Sequence, residues 1–585
     1  MAEVLISPGV LARENDQSQL TSQPVQAGAA IIGPAVKGPV EIPLKVTSYT
    51  EYLANYGSTF ISGSDEYSYF TSISAYNYFQ NGGSTLIVNR VTSGSFNEAT
   101  SSYISGSSIS SGEANRLVLE TIGEGEIMNS LPVAQTGDTI TDGANNTLAS
   151  GSKDNMRWEI ASPNTASGTF SVIIRRGNDT GKSKTVLETF TNVSLDPKST
   201  NYVAKVIGDQ KQVLRGSGTT DVYLQTSGSY PNASRYVRVK TVSKTPNYLD
   251  NAGNAKDIYT ASIPAAASGG FGAGGGMLVY PGSTADNYYQ EVNDTNTQGI
   301  QATDYTDGIN LLANRDDYRY NLLTAPGLCY EYATHATQLN TMISNTENRG
   351  DNIIVADLTG YNSTLINVTQ QAASLDTSYV ASYWPWLQIS DPDSRQLVWV
   401  PASAMIPGVY AYNDKAGEAR FAPAGINRGG LGTVRQAERK LTQANRDTLY
   451  TEKVNPIATF PGTGVVVFGQ KTLQTKASAL DRVNVRRLLI TLKNFISQIA
   501  DTLVFEQNTA ATRNQFLSQT NPYLESVQQR QGLYAFKVVM DDSNNTPDVI
   551  DRNQLIGAIY LQPTKTAEFI YLDFNILPTG ATFPA

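Results

Sequence analysis

The sequence predicts a multidomain chain of mixed α/β class, and three features support this prediction. The chain has 585 residues, which at roughly 150 residues per domain corresponds to about four domains. Residues 320–357 have the pattern of a strand, a helix and a second strand, which is typical of a parallel sheet. Residues 115–207 instead contain short β-rich segments separated by turns, which indicates a small all-β domain.

Composition narrows the function classes. Charged residues make up 16% of the chain, and 43 basic against 52 acidic residues give a formal charge of −9, without the basic footprint of a nucleic-acid-binding protein. The single Cys329 excludes internal disulfides, and the single His335 argues against His-rich metal centres. Residues 1–10 do not resemble a signal peptide, and no apolar run approaches the roughly 18 residues of a membrane span. We expect a cytoplasmically assembled protein without a cofactor, a nucleic-acid partner or membrane insertion.

In the first 112 residues, short apolar runs alternate with turns. A helical stretch ends near Phe79, and the Asn-Gly-Gly of residues 81–83 is a helix-cap and turn signal. Residues 85–91 then predict a buried strand. The Ser/Gly-rich residues 93–112 predict a linker, so the β-rich segment that follows is interpreted as an insertion.

Further along the chain, the pattern changes type. Residues 170–176 predict a β-branched strand, and the glycine-rich residues 269–276 predict a flexible loop. Residues 320–325 and 351–357 predict two strands on either side of a helix over residues 332–347. That spacing is the βαβ unit of a parallel sheet.

The last 110 residues carry two strong signals. Apolar residues recur at intervals of three and four between 483 and 504, which predicts an amphipathic helix. Three β-prone runs follow, at residues 533–540, 555–561 and 567–576. The third run is strongly apolar and has only a short tail behind it, so we expect it to pair with another strand.

No pattern predicts catalysis. A Ser-His-Asp or Cys-His hydrolase needs a histidine base, but His335 lies in the middle of a predicted helix and is interpreted as a structural or surface residue. The glycine run lacks the Gly-Lys-Ser/Thr ending of a phosphate loop. The acidic clusters at 541–545 and 391–393 are interpreted as turns. The adjacent Asp316 and Asp317 could serve a glycosidase, but in a chain with 52 acidic residues their adjacency alone does not indicate one.

Read in order, the segments resemble the tail sheath proteins of contractile-tailed bacteriophages. The motifs that carry the resemblance are short but ordered over most of the chain: Ser7-Pro-Gly-Val10, Ala30-Ile-Ile-Gly33, Lys37-Gly-Pro39, Val46-Thr-Ser48, Tyr78-Phe-Gln-Asn-Gly-Gly83, Asn89-Arg-Val91, Val400-Pro-Ala-Ser403, Gly408-Val-Tyr-Ala411, Asp414, Ala422-Pro-Ala-Gly425, Val454-Asn-Pro456, Phe460-Pro-Gly-Thr-Gly464, Lys471-Thr-Leu473, Val483-Asn-Val-Arg-Arg-Leu488 and Phe505-Glu-Gln-Asn508. Residues 93–260 match less sharply.

The resemblance implies a structural subunit rather than an enzyme. Such a subunit polymerises with itself in stacked six-fold rings around an inner tail tube, and the sheath contracts to drive that tube through the host envelope for genome delivery. Its partners would be the tube protein and the baseplate and tail terminator proteins, and its location the virion. The implied domains are an N-terminal arm (1–25), a subtilisin-like α/β middle part (26–92 and 215–430), an inserted all-β outer domain (93–214), a C-terminal α+β core domain facing the tube (431–565) and a C-terminal arm (566–585).

Two sets of site residues follow from these expectations. The arms are expected to exchange strands with neighbouring subunits through apolar residues, namely Val4, Leu5, Ile6, Val10, Leu11, Phe569, Ile570, Tyr571, Leu572, Phe574 and Ile576. The cations on the amphipathic helix could face acidic groups of the tube, namely Arg482, Arg486, Arg487 and Lys493. A solvated or intersubunit charged face is an equally open interpretation of the second set.

Two alternatives stay open. The nearer one is the sheath of a related contractile injection system, such as a tailocin or a secretion-system sheath. The alternative from a different class is a carbohydrate-binding or hydrolytic β-rich protein, whose marker would be acids and exposed aromatic residues in one cleft. The 32 tyrosines are instead spread along the chain, which weakens that interpretation.

Overall fold

The structure is a computed structural model, and it describes residues 28–62, 65–105, 116–129, 151–278, 281–284 and 287–568. It is a multidomain structure of mixed α/β class, as the sequence predicts. We divide the described chain into a core (residues 28–97 and 273–482), an insertion (98–272) and a C-terminal module (483–568).

Strands and short helices alternate along the first core segment, and strands predominate in the insertion. The first core segment forms β1 (Ala29–Gly33), β2 (Leu44–Val46), α1 (Tyr49–Tyr56), β3 (Thr59–Ser62), β4 (Asp65–Ser68), α2 (Phe70–Gln80) and β5 (Leu86–Arg90). The insertion forms β6 (Glu98–Ser101), β7 (Ile104–Ser105), β8 (Arg116–Glu124), β9 (Met156–Asn164), β10 (Thr169–Arg176), β11 (Val186–Ser194), α3 (Val203–Ile207), β12 (Lys211–Arg215), β13 (Tyr223–Ser227), β14 (Val237–Val242), α4 (Asp257–Thr260) and β15 (Ala267–Gly272).

The remaining elements belong to the second core segment and to the C-terminal module. The second core segment forms α5 (Thr306–Leu311), β16 (Leu322–Cys329), α6 (Ala333–Arg349), β17 (Ile353–Asp357), α7 (Leu365–Ala373), β18 (Val380–Trp384), β19 (Leu387–Ser390), β20 (Leu397–Val400), α8 (Ala402–Gly417), β21 (Val434–Ala437), α9 (Gln443–Thr451), β22 (Asn455–Phe460) and β23 (Gly464–Val467). The C-terminal module forms α10 (Val483–Asp501), α11 (Ala510–Gln529), β24 (Leu533–Val539), α12 (Pro547–Asp551) and β25 (Ala558–Pro563).

The core is built on an eight-stranded sheet with the order β2-β5-β1-β16-β17-β18-β22-β23. Its six inner strands are parallel, whereas β2 and β23 are antiparallel to their neighbours. Side chains alternate between the faces of a strand, so Ile31 packs with α2 and α8 on one face and Ile32 packs with α6 and α7 on the other. The core is therefore a sheet between two layers of helices.

The predicted βαβ unit is confirmed. Strands β16 and β17 are parallel, and α6 connects them. The predicted strand over residues 85–91 is confirmed as β5, and the predicted helix near Phe79 is confirmed as α2. Both strands of the unit are buried along their whole length, which explains their continuous apolar sequence.

The insertion is an all-β domain with short helical turns, and it leaves the core after β5 and returns before α5. Its main sheet has the order β11-β10-β9-β15-β6-β8-β14, with every pair antiparallel. The predicted boundary after residue 214 is wrong, because β14 and β15 follow that residue and belong to this sheet. The insertion therefore extends to Gly272.

The glycine-rich segment 269–276 was predicted to be a flexible loop. This prediction is wrong for its first four residues, which lie in β15. This strand occupies the middle of the sheet, between β9 and β6. A Cβ atom on Gly269 would lie 2.7 Å from Cζ2 of Trp158, and the indole N–H of Trp158 donates a hydrogen bond to the Gly270 carbonyl at 3.1 Å. A larger residue than glycine would collide with the Trp158 ring at this position. The glycine-rich composition of the segment does not indicate this packing.

The C-terminal module packs α10 and α11 against the hairpin of β24 and β25. The predicted helix (483–504) and strand (533–540) are confirmed, and the run at 555–561 forms β25 three residues later. The first two residues of the predicted run 567–576 are not in a strand, and the others lie outside the described residues.

The boundary predicted after residue 430 is also wrong, because β22 and β23 belong to the core sheet. In the described part of the chain, no helix is both long and apolar enough to span a bilayer.

Candidate functional site

The candidate site lies where the C-terminal module joins the core, and its centre is Glu568, the last described residue. Arg482 donates two hydrogen bonds to this carboxylate, from Nε at 2.7 Å and from Nη2 at 3.0 Å. The Tyr450 hydroxyl donates another at 2.6 Å and the Gln470 side-chain amide another at 3.0 Å. Burial alone would raise the pKa of Glu568, but these donors hold the pKa below its ordinary value. The chain is therefore fixed to the core at the point where its last segment departs.

Arg486 and Arg487, two of the cations predicted to face a tube, lie inside the molecule. They are only 6% and 3% exposed. Arg486 lies 4.0 Å from the centre of the Tyr379 ring and donates a hydrogen bond to Ser378. Arg487 lies 4.5 Å from the centre of the Tyr410 ring and is paired with Asp414 at 2.5 Å. Such cation–π contacts are strongest where both groups are desolvated.

The other two cations also have partners within the chain. Arg482 pairs with Asp481 at 3.0 Å in addition to Glu568. Lys493 is exposed on α10, and its ammonium group donates to the carbonyl of Gly350, just beyond the end of α6, at 3.2 Å. Contact with a tube involves another protein and stays a prediction. For Arg486 and Arg487 that contact would require exchange of their present partners.

The start of α10 explains why sequence periodicity did not indicate these partners. Every residue from Val483 to Leu488 is buried, because this part of the helix is covered by the core on one side and by the hairpin on the other. Periodicity separates an apolar face from a polar one, but in this helix the polar face is also covered. The sequence feature that indicates burial here is that Val485 and Leu488 directly flank the two adjacent arginines.

The hairpin of β24 and β25 is the second feature of the site. The two strands pair only with each other among the described residues, so each leaves one edge without a strand neighbour. Their inner side chains pack on α10 and α11, whereas Tyr534 and Tyr560 are more than 60% exposed. A two-stranded sheet has little stability of its own, and a free edge can accept a further strand.

A third feature is the loop that follows α10. Phe505 is fully exposed and has a φ of 71°, and the neighbouring Val504 is also exposed. The left-handed region is unfavourable for a bulky side chain. Asn508 fixes the loop to the segment before β25 by donating to the Gln554 carbonyl at 2.8 Å. The sequence motif at 505–508 does not by itself indicate that Phe505 is exposed.

Most of the residues considered for catalysis form hydrogen bonds to neighbouring residues in the described chain. His335 is buried in α6 and accepts a hydrogen bond from the Cys329 backbone N–H at 3.1 Å. Burial lowers the pKa of His335 to about 4, although nearby Asp294 opposes this shift. The carboxylates of Asp541 and Asp391 accept hydrogen bonds from Ser543 and Ser394 in their own turns. Asp317 accepts from the Asn314 amide, and its neighbour Asp316 is exposed.

The segments expected to exchange strands cannot be compared with this geometry. The residues predicted for the two arms, at 4–11 and 569–576, lie outside the described residues. What the structure describes is the anchor at Glu568, from which the second of these segments continues.

Two family models match the chain in succession. Residues 298–473 match the phage tail sheath protein central domain, and residues 475–577 match the phage tail sheath C-terminal domain. The border between the two matches falls between β23 and α10, where the core sheet has ended and the C-terminal module has not begun.

The curated relatives that the chain resembles are also tail sheath proteins. The chain is 39% identical over 218 residues to the tail sheath protein of Vibrio phage KVP40 and 36% identical over 223 residues to that of Enterobacteria phage T4. These matches cover 37% and 38% of this chain but only 31% and 33% of the relatives. The chain thus matches about a third of the length of these relatives.

Among solved structures, the chain is similar to the crystal structure of a sheath tail protein from Listeria innocua. The TM-score is 0.51 at 10% sequence identity, and the similarity covers 92% of this chain and 96% of the other. At this level of identity the similarity concerns the fold, and it includes the core, the insertion and the C-terminal module.

Proposed function

We propose that the chain is a structural subunit of a contractile tail sheath, because residues 298–473 and 475–577 match two domains of phage tail sheath proteins. It polymerises with itself in stacked six-fold rings around an inner tail tube, and contraction of the sheath drives that tube through the host envelope. The observation that carries the proposal is the succession of both sheath domains over adjoining stretches of one chain.

The proposal gives each region a place in the assembly. The C-terminal module lies nearest the tube, the core with its subtilisin-like sheet forms the body of the sheath, and the insertion lies outside. Two features support this arrangement. The insertion leaves the core sheet after β5 and returns before α5, and the C-terminal module follows the core in sequence and contacts it through Arg487 of α10 and Asp414 of α8. The proposed tube contact is through the α10 side, where Lys493 is exposed.

Neighbouring subunits are held together by strand exchange. The segments around Val4–Leu11 and 569–576 each add a strand to a hairpin of β24 and β25 in another subunit. The free edges of this hairpin support the idea, since added strands would satisfy their backbone groups. Arg482 then has a defined role as a positioning residue, because through Glu568 it fixes where the C-terminal segment leaves its own subunit.

Shared strands account for cohesion during contraction. They resist dissociation, while the contacts between domains can break and re-form in a second packing. The stroke releases free energy stored at assembly, so the proposal includes neither a nucleotide nor an enzymatic step. The subunit assembles in the host cytoplasm, becomes part of the virion, and meets the tube, baseplate and tail terminator proteins there.

Negative-stain electron microscopy of the purified chain at rising concentration tests both parts of the proposal. We compare the full chain with one variant lacking residues 566–585 and a control lacking only 577–585, which keeps the predicted terminal strand. Long hollow tubes from the full chain and the control, but not from the longer deletion, are expected. Equal tube formation by the longer deletion would contradict strand exchange. Compact particles only, even with tube protein and baseplate supplied as a template, would contradict the sheath function.

A further inference from the structure

A cavity of about 300 Å³ lies between the core and the insertion. Its core side is formed by the turn after β1 and by α1, including Lys37 and Leu53. Its insertion side is formed by the end of β8, the start of β9 and the end of β10. Both regions therefore contribute to one space.

The side chains around this cavity are unevenly charged. Four are basic, namely Lys37, Lys153, Arg176 and Arg235, and Asp154 is the acidic residue among the described lining. Lys37 comes from the core, whereas the other three come from the insertion. The cavity thus collects positive charge from both sides of the junction.

Carboxylates oppose only part of this positive charge. The Lys37 ammonium lies 3.6 Å from the Asp154 carboxylate, and both side chains are nearly buried. Arg235 extends towards Glu51 at the cavity's rim, also at 3.6 Å, and is largely exposed. Lys153 donates to the Thr59 hydroxyl at 2.7 Å, and Arg176 forms no ion pair with any described residue. Desolvation lowers the pKa of Lys37, and nearby Arg176 and Lys153 lower it further, while Asp154 opposes the shift.

We propose that this cavity binds an oxyanion of the phosphate class, held between Lys37 of the core and Lys153 and Arg176 of the insertion. Guanidinium and ammonium groups are the usual protein donors to phosphate oxygens, and their hydrogen bonds are strengthened by charge. The bound anion offsets the repulsion among the three cations and connects the two regions. The cavity is larger than a bare phosphate, so it also has room for a phosphate monoester.

Isothermal titration calorimetry on the full chain tests the site, with inorganic phosphate as the probe and sodium chloride at matched ionic strength as the reference. A second titration with glycerol 1-phosphate separates the two sources. Stronger binding of the ester identifies a monoester ligand, and equal binding shows that the phosphate group alone is recognised. Absence of saturable heat in both titrations would overturn the proposal.

A double variant, Lys153→Gln with Arg176→Gln, assigns the heat to this cavity. We expect it to weaken phosphate binding by about tenfold or more, because two charge-assisted donors are lost. The matched control, Lys182→Gln with Arg435→Gln, changes two exposed cations that do not line the cavity and is expected to bind as the unmodified chain does. Equal weakening in both variants, or none in the first, would overturn the site. Phosphate should also slow amide exchange at Lys37, Gly38 and residues 153–156, which reports occupancy independently.

Discussion

Arg487 illustrates how a charged residue can be part of the interior. Burial alone would lower the pKa of its guanidinium, but Asp414 and the rings of Tyr410 and Tyr383 hold the pKa above its ordinary value. The arginine connects α10 to α8, and therefore the C-terminal module to the core. Through its contacts with Asp414 and Tyr410, Arg487 holds the C-terminal module against the core.

Replacing Arg487 with glutamine is expected to destabilise the chain by about 2 kcal/mol. Breaking a buried ion pair costs more than this when both partners are buried, but Asp414 is partly exposed and water can solvate it. Urea unfolding measures the change. Arg435→Gln, which removes an exposed arginine, serves as the control and should change stability little. Equal midpoints for the two variants would contradict the structural role of Arg487.

Asp357 predicts a pH dependence of stability. Its carboxylate is fully buried and accepts hydrogen bonds from the Ser403 N–H, at 3.0 Å, and from the Ser403 hydroxyl. Burial raises the pKa of Asp357 to about 7, although Ser403 opposes the shift. Between its unfolded pKa of about 3.9 and this value, the folded state holds a proton that the unfolded state has released. This group's contribution to stability therefore falls as pH rises from about 4 to 7, by at most about 1.4 kcal/mol per pH unit.

The variant Asp357→Asn should remove this component of the pH dependence. We expect the difference in unfolding free energy between the variant and the unmodified chain to move in the variant's favour as pH rises from about 4.5 to about 7.5, and to stay constant above that. Urea midpoints measured across this range test the expectation. Asp316→Asn, which makes the same substitution at an exposed carboxylate, is the control. A constant difference for Asp357→Asn would show that this carboxyl titrates at its ordinary pKa.

At the scale of elements, sequence patterns predicted those structures whose signals are local. The helix α10 and the unit of β16, α6 and β17 were predicted because apolar periodicity and strand spacing are properties of neighbouring residues. The burial of Arg486 and Arg487 could not be predicted in this way, since Tyr379 and Tyr410 are distant in sequence. The end of the insertion was missed for a similar reason, because β15 pairs with strands formed more than 100 residues earlier.

The packing of β15 against Trp158 predicts that a larger residue at position 269 weakens the insertion sheet. Gly269→Ala would place a methyl group against the buried ring of Trp158, and overpacking of this kind typically costs about 1–3 kcal/mol. We expect faster amide exchange throughout β9 and β15, with little change in β16 and β17 of the core. Gly432→Ala is the control, because a Cβ atom there meets no other atom within 4 Å. Unchanged exchange in β9 would indicate that the sheet can accommodate the methyl group.

At the scale of the whole molecule, the insertion is attached to the core at more points than its two chain connections. Arg90 is completely buried without a carboxylate partner among the described residues, and it donates hydrogen bonds to the carbonyls of Ala35 and Gly38 in the core and of Glu124 in the insertion. Breaking this attachment would leave a buried cation without its hydrogen-bond acceptors, which is costly. The hairpin of β12 and β13 makes a second attachment of a different kind, at the surface.

The tip of that hairpin rests on α5 through exposed hydrogen bonds. The Ser217 hydroxyl and the Gly218 N–H, at 2.8 Å, both donate to the Asp307 carboxylate. The Asn310 amide donates to the Thr219 carbonyl at 3.1 Å. Exposed hydrogen bonds contribute little to stability, so this contact can open at small cost while Arg90 stays in place.

The variant Asp307→Ala tests whether this surface contact opens independently. It removes the acceptor for two hydrogen bonds, together worth about 1–2 kcal/mol, so amide exchange at residues 216–220 should accelerate about tenfold while β6 and β8 keep their protection. Asp316→Ala, which changes an exposed aspartate with no hydrogen bond to the described part of the insertion, should leave the tip unchanged. If Asp307→Ala also exposes β6 and β8, the hairpin tip and the Arg90 attachment form one cooperative unit, and the insertion would have to move with the core as a single body.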